Sequence, residues 1–142
     1  MQPTPRHSVS VAAAVVDEAG RVLATRRADN DRWEPPGGVL ELEETVEDGL
    51  RRDVLEETGL VVDVERLTGV YKNMTRGIVS LVFRCHVAGG ALGLSDEVRE
   101  CRWMTPDELH GAMTQAYAVR LLDALDNGPP HVRVHDGTTL LA

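Results

Sequence analysis

Apolar and polar positions change rhythm several times along this chain, and the changes mark out its elements. After a polar, proline-containing start at residues 1–6, His7 to Val16 alternates and then runs on apolar, which predicts a strand with a buried end. Glu18-Ala19-Gly20 is a turn, and Arg21 to Arg26 alternates again, so the two segments predict a hairpin. Ala28 to Pro36 is polar and predicts a loop ending in Trp33-Glu34-Pro35-Pro36, followed by Gly37-Gly38 and a short apolar step at Val39-Leu40. Helical spacing governs Thr45 to Thr58, with Thr45 as N-cap, Asp48 as the other half of a capping box, and Gly59 where a left-handed residue ends a helix. Val61 to Tyr71 and Gly77 to Val87 predict strands, Gly89-Gly90 a break, and Glu97 to Trp103 a further strand. Thr105-Pro106 opens a short helix, and Met113 to Leu125 predicts a full one that Asn127-Gly128-Pro129-Pro130 stops. Val132 to Leu141 predicts a terminal hairpin around Asp136-Gly137, whose exposed edge could pair with a second copy as a homodimer.

Strands and helices mix without strict alternation, and several connections are hairpin-like. The pattern predicts an α/β fold with a mixed central sheet and helices on both faces. The chain has 142 residues with no repeat and no linker, which predicts one domain over 1–142.

Composition narrows the possible partners. A formal net charge of -8 argues against coating duplex nucleic acid or an anionic membrane. It leaves room for a small phosphorylated substrate, because bound divalent cations reverse the local sign of a site. No segment is long enough to span a bilayer. The apolar run from Val9 to Val16 is short, is followed by Asp17-Glu18 and lacks a cleavage pattern, so it reads as a core strand and a cytoplasmic protein is expected. Cys85 and Cys101 have neither metal-knuckle nor redox spacing and read as buried thiols. The histidines at 7, 86, 110, 131 and 135 sit apart and read as structural.

The stretch that carries chemistry is Gly38 to Leu60, GVLELEETVEDGLRRDVLEETGL. At about 100° per helical residue, Asp53 and Glu57 nearly stack and Glu56 lies roughly 60° away. Three carboxylates so placed repel one another, and Arg52 offsets only part of that. Such a density of oxygens is what Mg²⁺ or Mn²⁺ demands, and Gly37-Gly38 lets backbone approach a ligand closely. The alternative is a solvated acidic face.

The stretch resembles the Nudix box: Gly, five residues, Glu, seven residues, then Arg-Glu-aliphatic-any-Glu-Glu-any-Gly-aliphatic. Gly38, Glu44, Arg52, Val54, Glu56, Glu57, Gly59 and Leu60 match it, and Asp53 stands where the box has Glu. The resemblance implies a Nudix-type α/β/α sandwich and a hydrolase that cuts the pyrophosphate link of a nucleoside diphosphate joined to another group. It implies Mg²⁺ or Mn²⁺ held by Glu56 and Glu57, with Asp53 third and the Gly38 carbonyl in addition. It also implies a Glu44–Arg52 pair that aims the carboxylates, and a proton acceptor among Asp53, Glu57 and Glu97. Glu97 is the candidate acid outside the box, with Asp96 and Glu100 as rivals. Aspartate is shorter than glutamate by one methylene, which draws its oxygens back by roughly 1 Å. That leaves a second reading open, a non-catalytic nucleotide-binding or regulatory module.

The substrate is less legible. Residues 61–104 contain no proline of the kind that marks ADP-ribose cleavage in this family, and Tyr71 stands too close to the box to mark dinucleoside polyphosphate cleavage. Nucleoside triphosphates, oxidised ones included, are the default. Trp33 is a candidate for base stacking or for packing under its loop. Arg27 and Arg32 are candidate phosphate contacts, and Tyr71, Lys72, Asn73 and Arg76 a candidate pocket rim.

Overall fold

The apolar run that ends the first strand is unbroken because both of its faces are covered. In chain order the elements are β1 (Ser8–Val15), β2 (Val22–Arg27), β3 (Trp33–Glu34), β4 (Gly37–Val39), α1 (Val46–Thr58), β5 (Leu60–Asn73), β6 (Ile78–Gly90), β7 (Val98–Met104), α2 (Pro106–Ala112), α3 (Gln115–Asp123) and β8 (His131–His135). Val11, Ala13 and Val15 of β1 pack with Leu50 and Val54 of α1 and with Leu60 and Val62 of β5. Ala12 and Ala14 face the other way, toward Leu109 of α2, Ala118 and Leu121 of α3, and Tyr71. The computed structural model describes residues 3–141. Of the loose start, residues 3–6 carry no regular structure, and positions 1 and 2 lie outside the described residues.

The expected mixed sheet has five strands in the order β4-β1-β6-β5-β8, with β1 parallel to β6 and β5 parallel to β8. Helices cover both of its faces, as the alternation along β1 requires. A second, antiparallel sheet of order β3-β2-β7 stands beside it. The hairpin expected from β1 and β2 closes at one bridge, Val16 to Val22. Beyond it β2 leaves for the second sheet, where it supplies Val22 and Ala24 to one core and Leu23 to the other.

Other boundaries shift for local reasons. The loop expected through Pro36 contains β3, which pairs with β2. Gly89 and Gly90 do not break β6 but extend it opposite Val61 and Leu60. The last helix starts at Gln115, two residues later than its apolar spacing predicts. The terminal segment is not a free hairpin. β8 adds in parallel to the open edge of β5, and the chain returns through one bridge, His135 to Leu140. Among the described residues no helix is long and apolar enough to cross a membrane.

Two devices fix the helix that matters most. Thr45 caps α1 by accepting the Asp48 amide at 3.2 Å, and Gly59 ends it at φ +80 with its amide on the Leu55 carbonyl. The reciprocal bond of a complete capping box occurs at α2, between Thr105 and Glu108. In front of α1, β4 presses on β1 so closely that a Cβ at Gly37 would stand 2.1 Å from the Val11 carbonyl oxygen. Gly37→Ala should therefore push β4 off β1 and lower stability by about 2 kcal/mol or more. Urea denaturation checks this, and a wild-type midpoint would show that β4 is free to shift.

Candidate active site

The apolar stripe of α1 brings a carboxylate inside with it. Leu50 and Val54 are fully buried, and Asp53, on the same face, is only 7% exposed. Asp53 Oδ1 lies 3.1 Å from Arg52 Nη1, whereas Oδ2 is buried with no hydrogen-bond partner among the described residues. Gly38 lies directly against it: a Cβ there would stand 3.0 Å from Asp53 Oδ2. One turn further on, Glu57 Oε2 accepts the Gly37 amide at 3.0 Å. Glu56 is exposed and lies 3.3 Å from Arg52 Nη1.

Glu44 and Arg52 form the pair that the sequence predicts. Arg52 donates from Nε at 2.9 Å and from Nη2 at 2.7 Å, a two-point grip, and Glu44 also accepts the Glu41 amide. The guanidinium and that amide hold the Glu44 carboxyl at about 2. Gly49 leaves room for the approach, since a Cβ there would meet Glu44 Oε1 at 2.8 Å.

Burial and mutual repulsion dominate the electrostatics. Burial raises Asp53 to about 6 against the pull of Arg52, with Glu44, Glu56 and Glu97 adding to the rise. Burial raises Glu57 to about 8 against the Gly37 amide, with Asp53, Glu34 and Glu97 adding to it. Glu97 is itself exposed just before β7, where its carbonyl accepts the Ala28 amide at 2.9 Å. Of its rivals, Asp96 is exposed, and Glu100 is engaged by Arg102 at 2.7 Å and Arg26 at 3.6 Å.

These donors fit a hard divalent cation. Carboxylate oxygens repel one another at a buried edge, one of them has no partner, and a glycine backbone lies against it. Among the described residues no three His, Cys, Asp or Glu side chains already form a cage. A magnesium-type site does not require one, because it takes one or two carboxylates and completes its shell with water and substrate oxygens.

Gly37 and Gly38, which lie against the acid edge, also wall a cleft of two adjoining cavities. The inner one, about 360 Å³, is walled by Gly37, Gly38, Ser10, Ser80, Tyr117 and Arg120. The outer one, about 820 Å³, includes Trp33, Met113, Tyr117 and Thr138. Arg27, Glu34, Asn73 and Arg76 belong to both. Arg27 is held by Asp29 at 2.8 Å and Glu34 at 3.1 Å, and Arg32 stands exposed on the outer wall. Trp33 packs on the core beneath Arg102, 5.1 Å from its ring centre, and Arg26, 5.9 Å away, with one side on the outer cavity. Tyr71 does not rim the pocket. It is fully buried and donates its hydroxyl to Asp123 Oδ2 at 2.8 Å, so that of the four expected rim residues Asn73 and Arg76 alone line the cleft.

Sequence reasoning missed Glu34 and Arg120. Glu34 left no pattern of its own. Arg120 did leave one: Ala116, Arg120 and Ala124 recur every four residues along a buried helical stripe, with an arginine where an apolar residue belongs.

Comparison with known proteins agrees with this geometry. The NUDIX domain family model matches residues 6–124. A MutT-like protein of Streptomyces ambofaciens is 61% identical over 137 residues, covering 96% of this chain and 89% of that protein. An ADP-ribose pyrophosphatase of Methanocaldococcus jannaschii is 31% identical over 110 residues, covering 72% of this chain and 65% of that protein. The crystal structure of a NUDIX hydrolase from Nitrosomonas europaea superposes with a TM-score of 0.79 at 21% identity, covering 94% of this chain and 82% of that one.

The raised carboxylates make stability depend on pH with a definite sign. Folded Asp53 and Glu57 hold their protons more tightly than unfolded ones, so their contribution is fully present near pH 4. It is lost as pH rises through about 6 and about 8. In chelator, the metal-free protein should lose on the order of 2 kcal/mol between pH 5 and pH 8, a figure discounted for the partial exposure of Glu57. Glu57→Gln should flatten that slope. Denaturation at several pH values tests this, and stability that rises over the same range in the wild type would refute it.

Proposed function

Because the chain belongs to the NUDIX family and is one of its pyrophosphohydrolases, we propose that it hydrolyses nucleoside triphosphates, oxidised ones included, to a monophosphate and pyrophosphate. The observation that carries this reading is the buried Asp53–Glu57 edge, whose orphaned oxygen lies against Gly38, a residue that also walls a cleft of nucleotide size. Glu56, Glu57 and Asp53, with the Gly38 carbonyl, would hold Mg²⁺ or Mn²⁺. When bound, the cation supplies charge for the phosphate oxygens and acidity for the attacking water.

The chain's own residues do the rest. The Glu44–Arg52 grip fixes the turn of α1 that presents the carboxylates. The Gly37 amide fixes Glu57. A carboxylate among Asp53, Glu57 and Glu97 takes the proton as water attacks phosphorus in line. Arg27 and Arg32 stand where they can hold phosphate oxygens, and Trp33 borders the outer cavity. A cytoplasmic setting suits the two free thiols, of which Cys85 is buried and raised to about 12 by that burial. The open edge of β8, with Val132 79% exposed, is where a second copy would add. Light scattering should then give twice the chain mass, and a monomeric mass at working concentration counts against it.

A second reading, ADP-ribose cleavage, follows from the name of the Methanocaldococcus jannaschii relative. A panel of normal and oxidised nucleoside triphosphates, ADP-ribose, dinucleoside polyphosphates and nucleotide sugars, with Mg²⁺ or Mn²⁺, decides between them. Turnover should fall by about a hundredfold or more in Glu57→Gln and in Glu56→Gln, with the fold intact. Unchanged turnover in both variants removes the hydrolase assignment from this site. Ligand-induced thermal stabilisation with no product, together with a rate that appears only in Asp53→Glu, identifies a binding module that has lost catalysis.

A further inference from the structure

The acid edge lies behind Gly38. The cavity that Gly38 walls also holds a buried cation that the chemistry at phosphorus does not use. Arg120 of α3 is only 7% exposed, yet it lines the inner cavity together with Gly37 and Gly38. Its guanidinium lies 4.8 Å from the centre of the Tyr117 ring and 5.5 Å from that of Tyr71. A buried charge is ordinarily matched by a carboxylate. Asp123, one turn along the same helix, is not that match. Its oxygens accept from the Tyr71 hydroxyl at 2.8 Å and from Arg133 at 2.7 and 2.8 Å. Glu34 contributes to the field at Arg120, but its carboxylate is held by Arg27.

What Arg120 does have is insufficient. Nε is buried with no hydrogen-bond partner among the described residues. Nη2 lies 3.2 Å from His135 Nε2, but the Gly137 amide donates to Nδ1 of the same ring at 2.9 Å. A neutral imidazole has one acceptor nitrogen and can satisfy only one of these two donors. Nε is enclosed, so the donors that Arg120 can turn to the cavity are those of its Nη groups, on a wall shared with Tyr117 and with Ser10 and Ser80, whose hydroxyls bond to each other. A ligand that completes this site brings acceptors.

We propose that Arg120 is the specificity-determining residue of the cleft and that it selects nucleobases presenting a carbonyl oxygen over those presenting an amino group at the same position. This rests on the nucleotide-hydrolase reading for the identity of the ligand. The carboxylates that would hold metal and polyphosphate lie behind Gly38 and line neither cavity, which leaves the cleft for the rest of the nucleotide, its base included. A guanidinium donates to a carbonyl oxygen and an adjacent ring nitrogen together, whereas an amino group in that place sets donor against donor.

Inosine and adenosine nucleotides test this, because they differ at one exocyclic position. Calorimetric binding of IMP and AMP to the metal-free protein in chelator should favour IMP by about tenfold. Arg120→Met keeps the stem and removes the donors, and should bring the two within about twofold, chiefly by weakening IMP. With metal present, the same variant should raise KM for ITP by a larger factor than KM for ATP, the effect falling on KM more than on kcat. Arg120→Lys keeps the charge without the two-point geometry and should also lose the preference. It carries the comparison if Arg120→Met does not fold.

Equal binding of IMP and AMP by the wild type overturns the proposal. So does a variant that melts earlier but keeps the IMP preference, since Arg120 is then only scaffolding. Inorganic phosphate that binds the wild type and not Arg120→Met also overturns it, because Arg120 then holds phosphate. A wild type that prefers IMP but turns over no nucleotide leaves this inference standing and removes the hydrolase reading instead.

Discussion

Helix α1 cannot bury its apolar stripe without also burying a carboxylate. Leu50 and Val54 must face β1, and Asp53 shares their side of the helix. The consequences spread outward from there. Arg52 is required beside Asp53, Glu44 is required to hold Arg52, and the space at Gly49 is required to admit Glu44. The strand facing the buried oxygen must be glycine at 37 and 38, because β4 is pinched between Asp53 and the backbone of β1. A carboxylate edge is thus secured by ordinary core packing, which fixes it more firmly than a loop could.

The rest of the cleft is assembled by topology. β1 lies between β4 and β6, so Ser10 and Ser80 meet on one wall while Gly37 and Gly38 form another. α3 closes the inner end with Tyr117 and Arg120, and β3 sets Glu34 between the acid edge and the arginine. Arg27, Arg76 and Arg120 thus share the cleft wall with Glu34.

The parts legible in the sequence were those with local signals. Thr45 and Gly59 bracketed α1, the spacing from Gly38 to Leu60 located the acid edge, and the unbroken run in β1 announced a strand covered on both sides. What stayed hidden depended on distant partners. The alternation of β2 could not show that it leaves β1 after one bridge, since that choice is made by β7. Tyr71 looked like a polar strand end because its partner Asp123 is 52 residues away. Gly89 and Gly90 read as a break, yet they pair with β5 once both strands reach that length. Arg120 was visible as a charge on an apolar stripe, but only the fold shows that the stripe borders a cleft.

β1 and β2 each contribute side chains to both cores, and this leaves the molecule without a seam. Loosening the layer under α1 exposes the back of the strand that supports the layer under α2 and α3, and the reverse is equally true. Partial openings that spare one layer are closed to such an architecture. The amide protons at the centre of β1, where β4 and β6 flank it, are the ones such an architecture holds back from solvent longest.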